Sequence, residues 1–463
     1  MKLSELHFNN NDILGNLVLD FKNTMTGKPY DTILLVGENG AGKTTILKEI
    51  SSFMGGDALS LHFSKIVYDV NGDTLIEEIP HDARDASDFI RIHDGNSERL
   101  VYGWNNGYGR DTDKMINDPL DPRHYGSLLS LPRSDFQTGR IDKIGVSELD
   151  TQSHEKDQEH NFTSLKQLLV DLNASDEHEF SQRHRNGDNV SMAQFDTESK
   201  MYRFKHAFNQ FFDDLTFSEI RDNNGAKEIY FKKFGHEIPI DSLSTGEKQI
   251  VYRGIFLLRH LNKLKGGILL IDEPELSMHP RWQDKILKYY QDLFSDPVTH
   301  QMQVQLIAAT HSERILSSAF ENPSMNGVIV LGNENGMVTA SPVNAPGVLP
   351  VVTSAETIYL AYKIPTVDYH IELFSLIQRT GDPSGREMNV SQTDAYIMRH
   401  RNYDSARHAR PDSFTDRGGH TTHYNTLPTF VRNRIDHPRP GDEYTAAQLR
   451  ESIELMRTII QNP

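Results

Sequence analysis

The feature that most constrains this chain is a glycine-rich loop placed directly after an apolar run. Residues 32–36 read TILLV and lead into Gly37-Glu38-Asn39-Gly40-Ala41-Gly42-Lys43-Thr44. Glycines at this spacing let backbone N–H groups turn inward around phosphate oxygens, while Lys43 adds an ammonium and Thr44 a hydroxyl ligand for Mg²⁺. The pattern predicts a buried strand, a phosphate-binding turn and a helix. The predicted nucleotide contacts are Gly37, Asn39, Gly40, Gly42, Lys43, Thr44 and Thr45.

A second apolar run ends in two adjacent acids. Residues 267–271 read GILLI and are followed by Asp272 and Glu273. At the end of a strand, Asp272 is predicted to hold Mg²⁺ through water, and Glu273 to orient or deprotonate the water that attacks a phosphate. Together with the loop, this pair predicts hydrolysis of ATP with Mg²⁺. Strands that alternate with helices in this way predict an α/β fold with a mostly parallel sheet.

A third motif, Leu243-Ser244-Thr245-Gly246-Glu247-Lys248-Gln249, lies between the other two. It resembles the signature motif of ABC-type and SMC-type ATPases. The resemblance implies an ABC-type P-loop ATPase that works as a homodimer, or within a higher oligomer, with ATP sandwiched between subunits. The predicted contacts to the partner's γ-phosphate are Ser244, Gly246 and Glu247, because backbone donors and the helix dipole favour phosphate at a helix N-terminus.

Two further residues match elements of this family. His311 follows a third apolar strand, residues 303–309, and resembles the switch histidine that senses the γ-phosphate. Gln137 resembles the glutamine that contacts Mg²⁺ and water. After the acids, residues 274–280 read PELSMHP and lack the aspartate loop of transporters; they resemble soluble SMC-like and OLD-like ATPases. The stretch between the glycine-rich loop and the signature has no sustained heptads, so no long coiled-coil arm is expected.

Composition and charge exclude several classes of protein. No apolar run reaches the roughly 18–20 residues that cross a bilayer, and the first ten residues lack the apolar segment of a signal peptide. The chain has no cysteine, which excludes disulfides and thiolate zinc sites and favours a cytoplasmic protein. The formal net charge of −17 argues against a broad basic surface for nucleic acid. From about residue 365 onward the charges nearly balance, and the basic residues are all arginine, with several histidines among them. Phosphate contacts outside the nucleotide site are therefore expected there or in a local cleft.

A short motif in the C-terminal region suggests a second activity. Arg432-Asn433, followed by His437, resembles the R-x4-H motif of HEPN ribonuclease domains. Metal-independent RNA cleavage needs an acid or base near the 2′-hydroxyl and a cation for the phosphate, and histidine and arginine supply these. The resemblance implies that Arg432 and His437 cut RNA, with tRNA as a plausible target class. The competing interpretation is a helix end where both side chains satisfy carbonyls and salt bridges.

These observations predict two domains. Residues 1–350 are expected to form the ABC-type ATPase domain, with a variable insertion at about 55–200, and residues 351–463 a helical HEPN-like domain. The layout resembles anticodon nucleases and other ATPases of bacterial phage-defence systems, which implies an ATPase that controls an RNA-cleaving toxin module until a phage trigger acts. One alternative is an ATPase sensor or scaffold that docks a separate effector. Another is an SMC-like DNA-repair ATPase.

Overall fold

The computed structural model divides the chain into two compact units, Met1–Pro342 and Val343–Pro463. The boundary falls slightly before the predicted one between residues 350 and 351. The structure describes residues 1–55, 62–79, 88–101, 116–131, 154–156, 165–223, 226–276, 278–334, 337–343, 347–382, 384–415, 419 and 421–462.

The strands are β1 (Lys2–Phe8), β2 (Val18–Asp20), β3 (Thr32–Gly37), β4 (Phe63–Val70), β5 (Asp73–Glu78), β6 (Asp88–His93), β7 (Asn96–Val101), β8 (Ser127–Ser130), β9 (His154–Lys156), β10 (Leu215–Asn223), β11 (Ala226–Lys233), β12 (His236–Pro239), β13 (Ile268–Asp272), β14 (Gln305–Thr310), β15 (Asn326–Glu334), β16 (Met337–Pro342), β17 (Ala409–Thr415) and β18 (Thr421–Thr426).

The helices are α1 (Lys43–Met54), α2 (Leu165–Arg185), α3 (Met192–Glu198), α4 (Lys200–Phe211), α5 (Thr245–Arg259), α6 (Leu261–Leu264), α7 (Pro280–Phe294), α8 (Glu313–Ala319), α9 (Ser354–Tyr362), α10 (Val367–Thr380), α11 (Val390–Arg399), α12 (Ser405–His408), α13 (Leu427–Asp436) and α14 (Ala446–Gln461). In the described part of the chain, none of them has both the length and the apolar character needed to cross a membrane.

The first unit is built on a seven-stranded sheet with the order β16-β15-β3-β14-β13-β8-β9. Every neighbouring pair is parallel except β15 and β16. Strands β3, β13 and β14 are buried along their whole length. Continuous apolar runs of this kind suit parallel strands that are covered on both faces. The predicted α/β fold with a mostly parallel sheet is therefore confirmed.

The register of the central strands brings their carboxyl ends to one edge. Val36 at the end of β3 pairs with Thr310 at the end of β14, and Asp272 at the end of β13 pairs with Ala309. Segments that leave these three strands start side by side. In α/β sheets this edge is where ligands bind, because loops from adjacent strands converge there.

Residues 55–200, expected to be a variable insertion, supply part of the framework. Strands β4 to β7 extend β1 and β2 into a six-stranded antiparallel sheet with the order β2-β1-β4-β5-β6-β7. Phe63, Ile66 and Tyr68 of β4 belong to the same buried core as Ile46 and Ile50 of α1. Strand β8 lies in the central sheet, parallel to β13. A buried four-residue strand has no periodicity of its own, so only its pairing partner identifies it.

The elements around the signature motif agree with the local sequence patterns. The apolar spacing of residues 201–212 predicts an amphipathic helix, and most of this segment lies in helix α4. Residues 228–240 resemble a hairpin in sequence, and β11 and β12 pair there as antiparallel strands. A helix is predicted for residues 247–263, and it is present as α5 followed by the short α6. Helix α5 packs against α2, α4 and α7, so the helix that follows the signature is held from several sides.

The second unit is mostly helical, and it also contains the β17–β18 hairpin. Its core is formed chiefly by α10, α13 and α14, with Leu373, Phe430 and Ile453 among the buried side chains. Asp394 of α11 accepts hydrogen bonds from the backbone N–H and the hydroxyl of Thr426, at 3.0 and 2.7 Å. This contact ties the end of the hairpin to α11. The sequence predicts a helix at residues 371–377 and another at 445–460 with Thr445 as its cap, and the structure confirms both as α10 and α14.

Candidate functional site

The glycine-rich loop adopts the left-handed backbone that its sequence predicts. Gly40 and Gly42 have φ values of 81° and 83°, a conformation that side chains with a Cβ disfavour. A Cβ on Gly42 would also lie 2.6 Å from the Cδ2 atom of Leu14. Glu38, Asn39 and Gly40 are exposed, whereas Lys43 is buried. The loop therefore combines three exposed residues, 38–40, with a buried cation, Lys43.

Lys43 lies folded back onto its own loop. Its ammonium donates to the carbonyl oxygens of Gly37 and Glu38, at 2.8 and 2.9 Å, and to Nδ1 of His311 at 3.2 Å. Burial lowers the pKa of Lys43 to about 8, and the nearby carboxylate of Asp272 opposes that shift. The acceptors of the ammonium are thus all neutral groups. Hydrogen bonds to the charged oxygens of a phosphate are stronger, so the ammonium is suited to exchange its present acceptors for phosphate oxygens.

Thr44 and Asp272 meet where α1 begins and β13 ends. The Thr44 hydroxyl donates to the Asp272 carboxylate at 2.9 Å. Burial raises the pKa of Asp272 above its ordinary value, so a cation beside this carboxylate would be favourable. Oxygen ligands from a hydroxyl and a carboxylate fit Mg²⁺, which keeps several waters and takes few protein ligands. These two residues fit the predicted metal site. Thr45 follows, half-buried in the first turn of α1.

Glu273 and His311 form the next contact along the sheet edge. Nε2 of His311 lies 3.2 Å from Oε1 of Glu273. Because the Lys43 ammonium donates to the other ring nitrogen, the ring proton of His311 lies on Nε2, the nitrogen nearest the glutamate. Glu273 has a φ of 44°, a left-handed conformation that is uncommon for residues other than glycine. Strained residues of this kind gather at functional sites.

Glu275 is a residue of this site that the sequence interpretation missed. Its Oε1 accepts hydrogen bonds from the backbone N–H of His311 at 2.6 Å and from the Thr310 hydroxyl at 2.9 Å. Its other carboxylate oxygen is buried and has no partner within the described residues. The carboxylate therefore fixes the start of the segment that carries His311. The signal was the third acid in the run Asp272-Glu273-Pro274-Glu275, but a run of acids does not show which partner each acid will have.

The signature residues cap helix α5. The Ser244 hydroxyl accepts from the backbone N–H of Glu247, and the Glu247 carboxylate accepts from the N–H of Ser244 at 2.7 Å. Glu247 also pairs with Lys233 at 2.6 Å and is buried, while Ser244 is exposed and Gly246 half-buried. The Glu247 carboxylate is thus used inside the subunit, and the free N-terminal end of the helix is formed by Ser244 and Gly246.

The predicted residues do not all meet in one subunit. Lys43, Thr44, Asp272, Glu273 and His311 form one connected set. Within the described residues, no hydrogen bond or ion pair joins the signature to that set. The predicted Gln137 lies outside the described residues.

In the second unit, Arg432 and His437 lie at the C-terminal end of α13. Arg432 pairs with Asp436 at 2.6 Å and donates to the Asn433 side chain at 3.2 Å. His437 ends the helix and is exposed, with its ring stacked on Phe414 at 4.8 Å between centroids. Within the described residues, no hydrogen bond or ion pair joins Arg432 to His437. Arg432 has a salt bridge of the kind that the competing interpretation expects, whereas the described partner of the His437 ring is an aromatic ring.

Arg434 is the arginine of this segment that the sequence interpretation did not single out. It is buried and donates to both carboxylate oxygens of Asp412, at 2.8 and 3.0 Å, and to Asp442. Its guanidinium also lies 4.6 Å from the ring centroid of Phe430. These contacts join α13 to the β17–β18 hairpin. The signal in the sequence was weak, because Arg432 and Arg434 lie only two positions apart on the same helix and nothing local shows which of them is buried.

Comparison with known families matches residues 33–317 to the family described as "AAA domain, putative AbiEii toxin, Type IV TA system". The matched region is more than half of the chain. It contains the glycine-rich loop, the signature, the two acids and His311.

Three curated proteins are similar to parts of the chain. The "Retron Vc95 probable ATPase" of Vibrio cholerae serotype O1 biovar El Tor is 36% identical over 95 residues, which is 19% of this chain and 17% of that protein. The "Endonuclease GajA" of Bacillus cereus (strain HuB5-5) is 22% identical over 254 residues, 53% of this chain and 35% of that protein. The "Septu protein PtuA" of Bacillus thuringiensis is 24% identical over 332 residues, 65% of this chain and 69% of that protein. The alignments thus leave most of the first two proteins unmatched.

Proposed function

Since the chain belongs to the family described as "AAA domain, putative AbiEii toxin, Type IV TA system", we propose that its first unit binds and hydrolyses ATP at the edge formed by β3, β13 and β14. One observation carries this proposal. A phosphate-type loop, a hydroxyl–carboxylate pair and a glutamate–histidine pair are linked by direct contacts at the carboxyl ends of adjacent parallel strands. That combination suits phosphoryl transfer to water.

Each residue has a role that follows from its present contacts. The N–H groups of the loop bind phosphate oxygens, and Lys43 exchanges its loop carbonyls for the β and γ phosphates. Thr44 and Asp272 would hold Mg²⁺, which neutralises charge on those phosphates when it is bound. Glu273 orients the attacking water and accepts its proton, and His311 contacts the γ-phosphate and keeps Glu273 in place.

The active form that we propose is a homodimer with two shared sites. Ser244 is exposed at the N-terminus of the 15-residue helix α5. Among the described residues, no hydrogen bond or ion pair joins it to the phosphate loop of its own subunit. An exposed helix N-terminus of this length is suited to a phosphate that arrives from outside. In the dimer, Ser244 and the N–H groups near Gly246 bind the γ-phosphate held by the partner's loop. Glu247 contributes by holding Ser244 in the cap.

Two variants test the ATPase proposal. Lys43→Ala should abolish ATP binding, because the remaining loop has no cation for the β and γ phosphates. Glu273→Gln should retain ATP binding, lose turnover and accumulate as an ATP-bound dimer that gel filtration separates from the ATP-free protein. Full turnover by Glu273→Gln would contradict the role assigned to this acid.

For the whole chain, we propose that the ATPase unit controls an effector in anti-phage defence. The similarity to a retron ATPase and to a Septu protein supports this role. This proposal has two versions, which differ in the role of the second unit. In one, the unit is a HEPN-like metal-independent ribonuclease that cuts RNA, including tRNA, with Arg432 and His437. In the other, the unit docks a separate effector, which the internal pairing of Arg432 with Asp436 favours.

The integrity of total RNA separates the two versions. Wild type and His437→Ala would be induced in bacteria with and without phage infection, and the ATPase activity of both purified proteins measured. In the ribonuclease version, His437→Ala leaves ATPase activity near normal and removes both RNA cleavage and toxicity. Cleavage or toxicity that persists in His437→Ala excludes the ribonuclease version, and intact RNA in every condition supports the docking version.

A further inference from the structure

A buried arginine on the signature helix contacts the main chain of the proposed catalytic acid. Arg253 lies on α5 and is 2% exposed. Its Nη1 donates to the backbone carbonyl oxygen of Glu273 at 3.3 Å. Neither the glycine-rich loop nor the acids themselves predict this residue.

The contact holds a peptide in an unfavourable conformation. Glu273 has its φ of 44° because its N–H donates to the carbonyl of Ala309 at 2.9 Å, while its own carbonyl accepts from Arg253. Left-handed backbone at a residue with a Cβ persists only where its surroundings hold it. The direction of the Glu273 side chain toward His311 depends on this backbone conformation.

We propose that Arg253 is a positioning residue for ATP hydrolysis, which acts through the Glu273 carbonyl and couples that acid to the signature at the start of the same helix. The proposal rests on the ATPase function proposed above. Arg253 follows Ser244 by nine residues, which is about 13 Å along an α-helix. Because α5 is one continuous helix, a displacement of its N-terminus by the partner's phosphate reaches Arg253.

Arg253 lies in a buried polar cluster beside the proposed catalytic acid. Its guanidinium lies beside the phenol of Tyr290, where it opposes the rise in the pKa of that phenol that burial causes. Glu275, whose carboxylate accepts from the backbone N–H of His311, also lies near this phenol. The Glu273 carbonyl is therefore the acceptor that links the buried guanidinium to the site residues.

The test is a comparison of kcat with ATP affinity in the full chain. Arg253→Met removes the donor and the charge and keeps much of the volume. The matched control is Arg203→Met, since Arg203 is also buried and donates to a backbone carbonyl, that of Ser295 at 2.9 Å. In the part of the chain that the structure describes, no hydrogen bond joins Arg203 to the site residues. The samples are wild type, the two single variants, Glu273→Gln, and the double variant that combines Glu273→Gln with Arg253→Met. For each sample we would measure the ATP turnover, the dissociation constant for ATP and the melting temperature.

We expect Arg253→Met to lower kcat by about tenfold or more while ATP affinity changes by less than about twofold. Arg203→Met should melt at a comparably lower temperature and keep the wild-type kcat. In the Glu273→Gln background, Arg253→Met should lower the residual turnover no further, because both changes act on the same acid. If Arg253→Met does not fold, Arg253→Gln is the substitute, because its side chain is too short to reach the carbonyl. It should show the same loss of kcat with the same nearly unchanged ATP affinity.

Three results would overturn the positioning role. They are a wild-type kcat in Arg253→Met, a joint loss of ATP binding and turnover, and a further loss of turnover in the Glu273→Gln background. A wild-type protein that binds ATP without hydrolysing it would instead refute the proposed function on which this inference depends.

Discussion

The buried ammonium of Lys43 makes the pH dependence of ATP binding a sharp test of the site. Burial lowers its pKa from 10.5 to about 8, so the free protein loses this charge as the pH rises through 8. The phosphates of ATP bind the charged form. Affinity should therefore be at its full value below about pH 8 and decline above it. If only the charged form binds, the dissociation constant between pH 7.5 and 9 should rise by about eightfold, whereas a lysine with an ordinary pKa would change it by about 3 per cent.

The measurement is an equilibrium titration with Mg²⁺ and ATP at several pH values from 7.5 to 9. Using Glu273→Gln as the host prevents turnover during the titration. The control adds Lys43→Arg, whose guanidinium stays charged throughout this range, and should bind with an affinity that does not depend on pH.

Two results would refute this reasoning. A dissociation constant that stays within about twofold from pH 7.5 to 9 would mean that Lys43 does not titrate in this range, or that its charge is not needed for ATP binding. An equal slope in Lys43→Arg would assign the pH dependence to another group.

Three further changes test the folding of each unit. Gly37→Ala would place a Cβ 2.3 Å from a carbonyl oxygen of strand β15. This clash should cost about 1–3 kcal/mol of stability beyond the backbone strain at its positive φ, whereas Gly40→Ala has nothing within 4 Å of the added Cβ, adds only the left-handed backbone strain and should melt closer to wild type. In urea unfolding, Arg434→Met should lose about 3–5 kcal/mol because it removes the bidentate partner of the buried Asp412. Arg432→Met should lose only about 0.3–0.5 kcal/mol because it removes a partly exposed helix pair; equal losses would contradict the difference in burial. Burial lowers the pKa of His370 to about 3, so the unfolded chain binds a proton that the folded chain does not, and stability should fall as the pH drops below 6.5, by about 1.4 kcal/mol per pH unit. His370→Gln should flatten that slope, and an unchanged slope would assign it to other groups.

Much of the nucleotide site could be predicted from short segments of sequence. The left-handed φ of Gly40 and Gly42 follows from local backbone sterics, which depend on residue type more than on distant partners. The strand before the loop is wholly buried, as its unbroken apolar run predicts. The capping of α5 by Ser244 and Glu247 was also readable, because serine followed three residues later by glutamate matches a capping box.

The contacts that depend on pairing across the chain could not be predicted in this way. Ser127–Ser130 became a central strand only through its register with β13, and Glu275 acquired its role only because β13 and β14 end side by side. Nothing in the sequence marks Arg253 as a residue of the site, because its contact with the Glu273 carbonyl depends on the packing of α5 near the end of β13. The choice of Arg434 over Arg432 as the buried arginine was likewise decided by which face of α13 covers the hairpin.

Backbone sterics, solvent exclusion and local hydrogen bonds act over a few residues. Short segments of the sequence are therefore enough to predict the loop conformation, the apolar strands and the capped helices of this protein. The hydrogen-bond and ion-pair partners of the acids, arginines and histidines are visible only in the folded chain. Those pairings depend on strand register and helix packing between segments as far apart as Lys43 and His311. A contact between distant segments leaves no periodic pattern in either one, and that is why it has to be found in three dimensions.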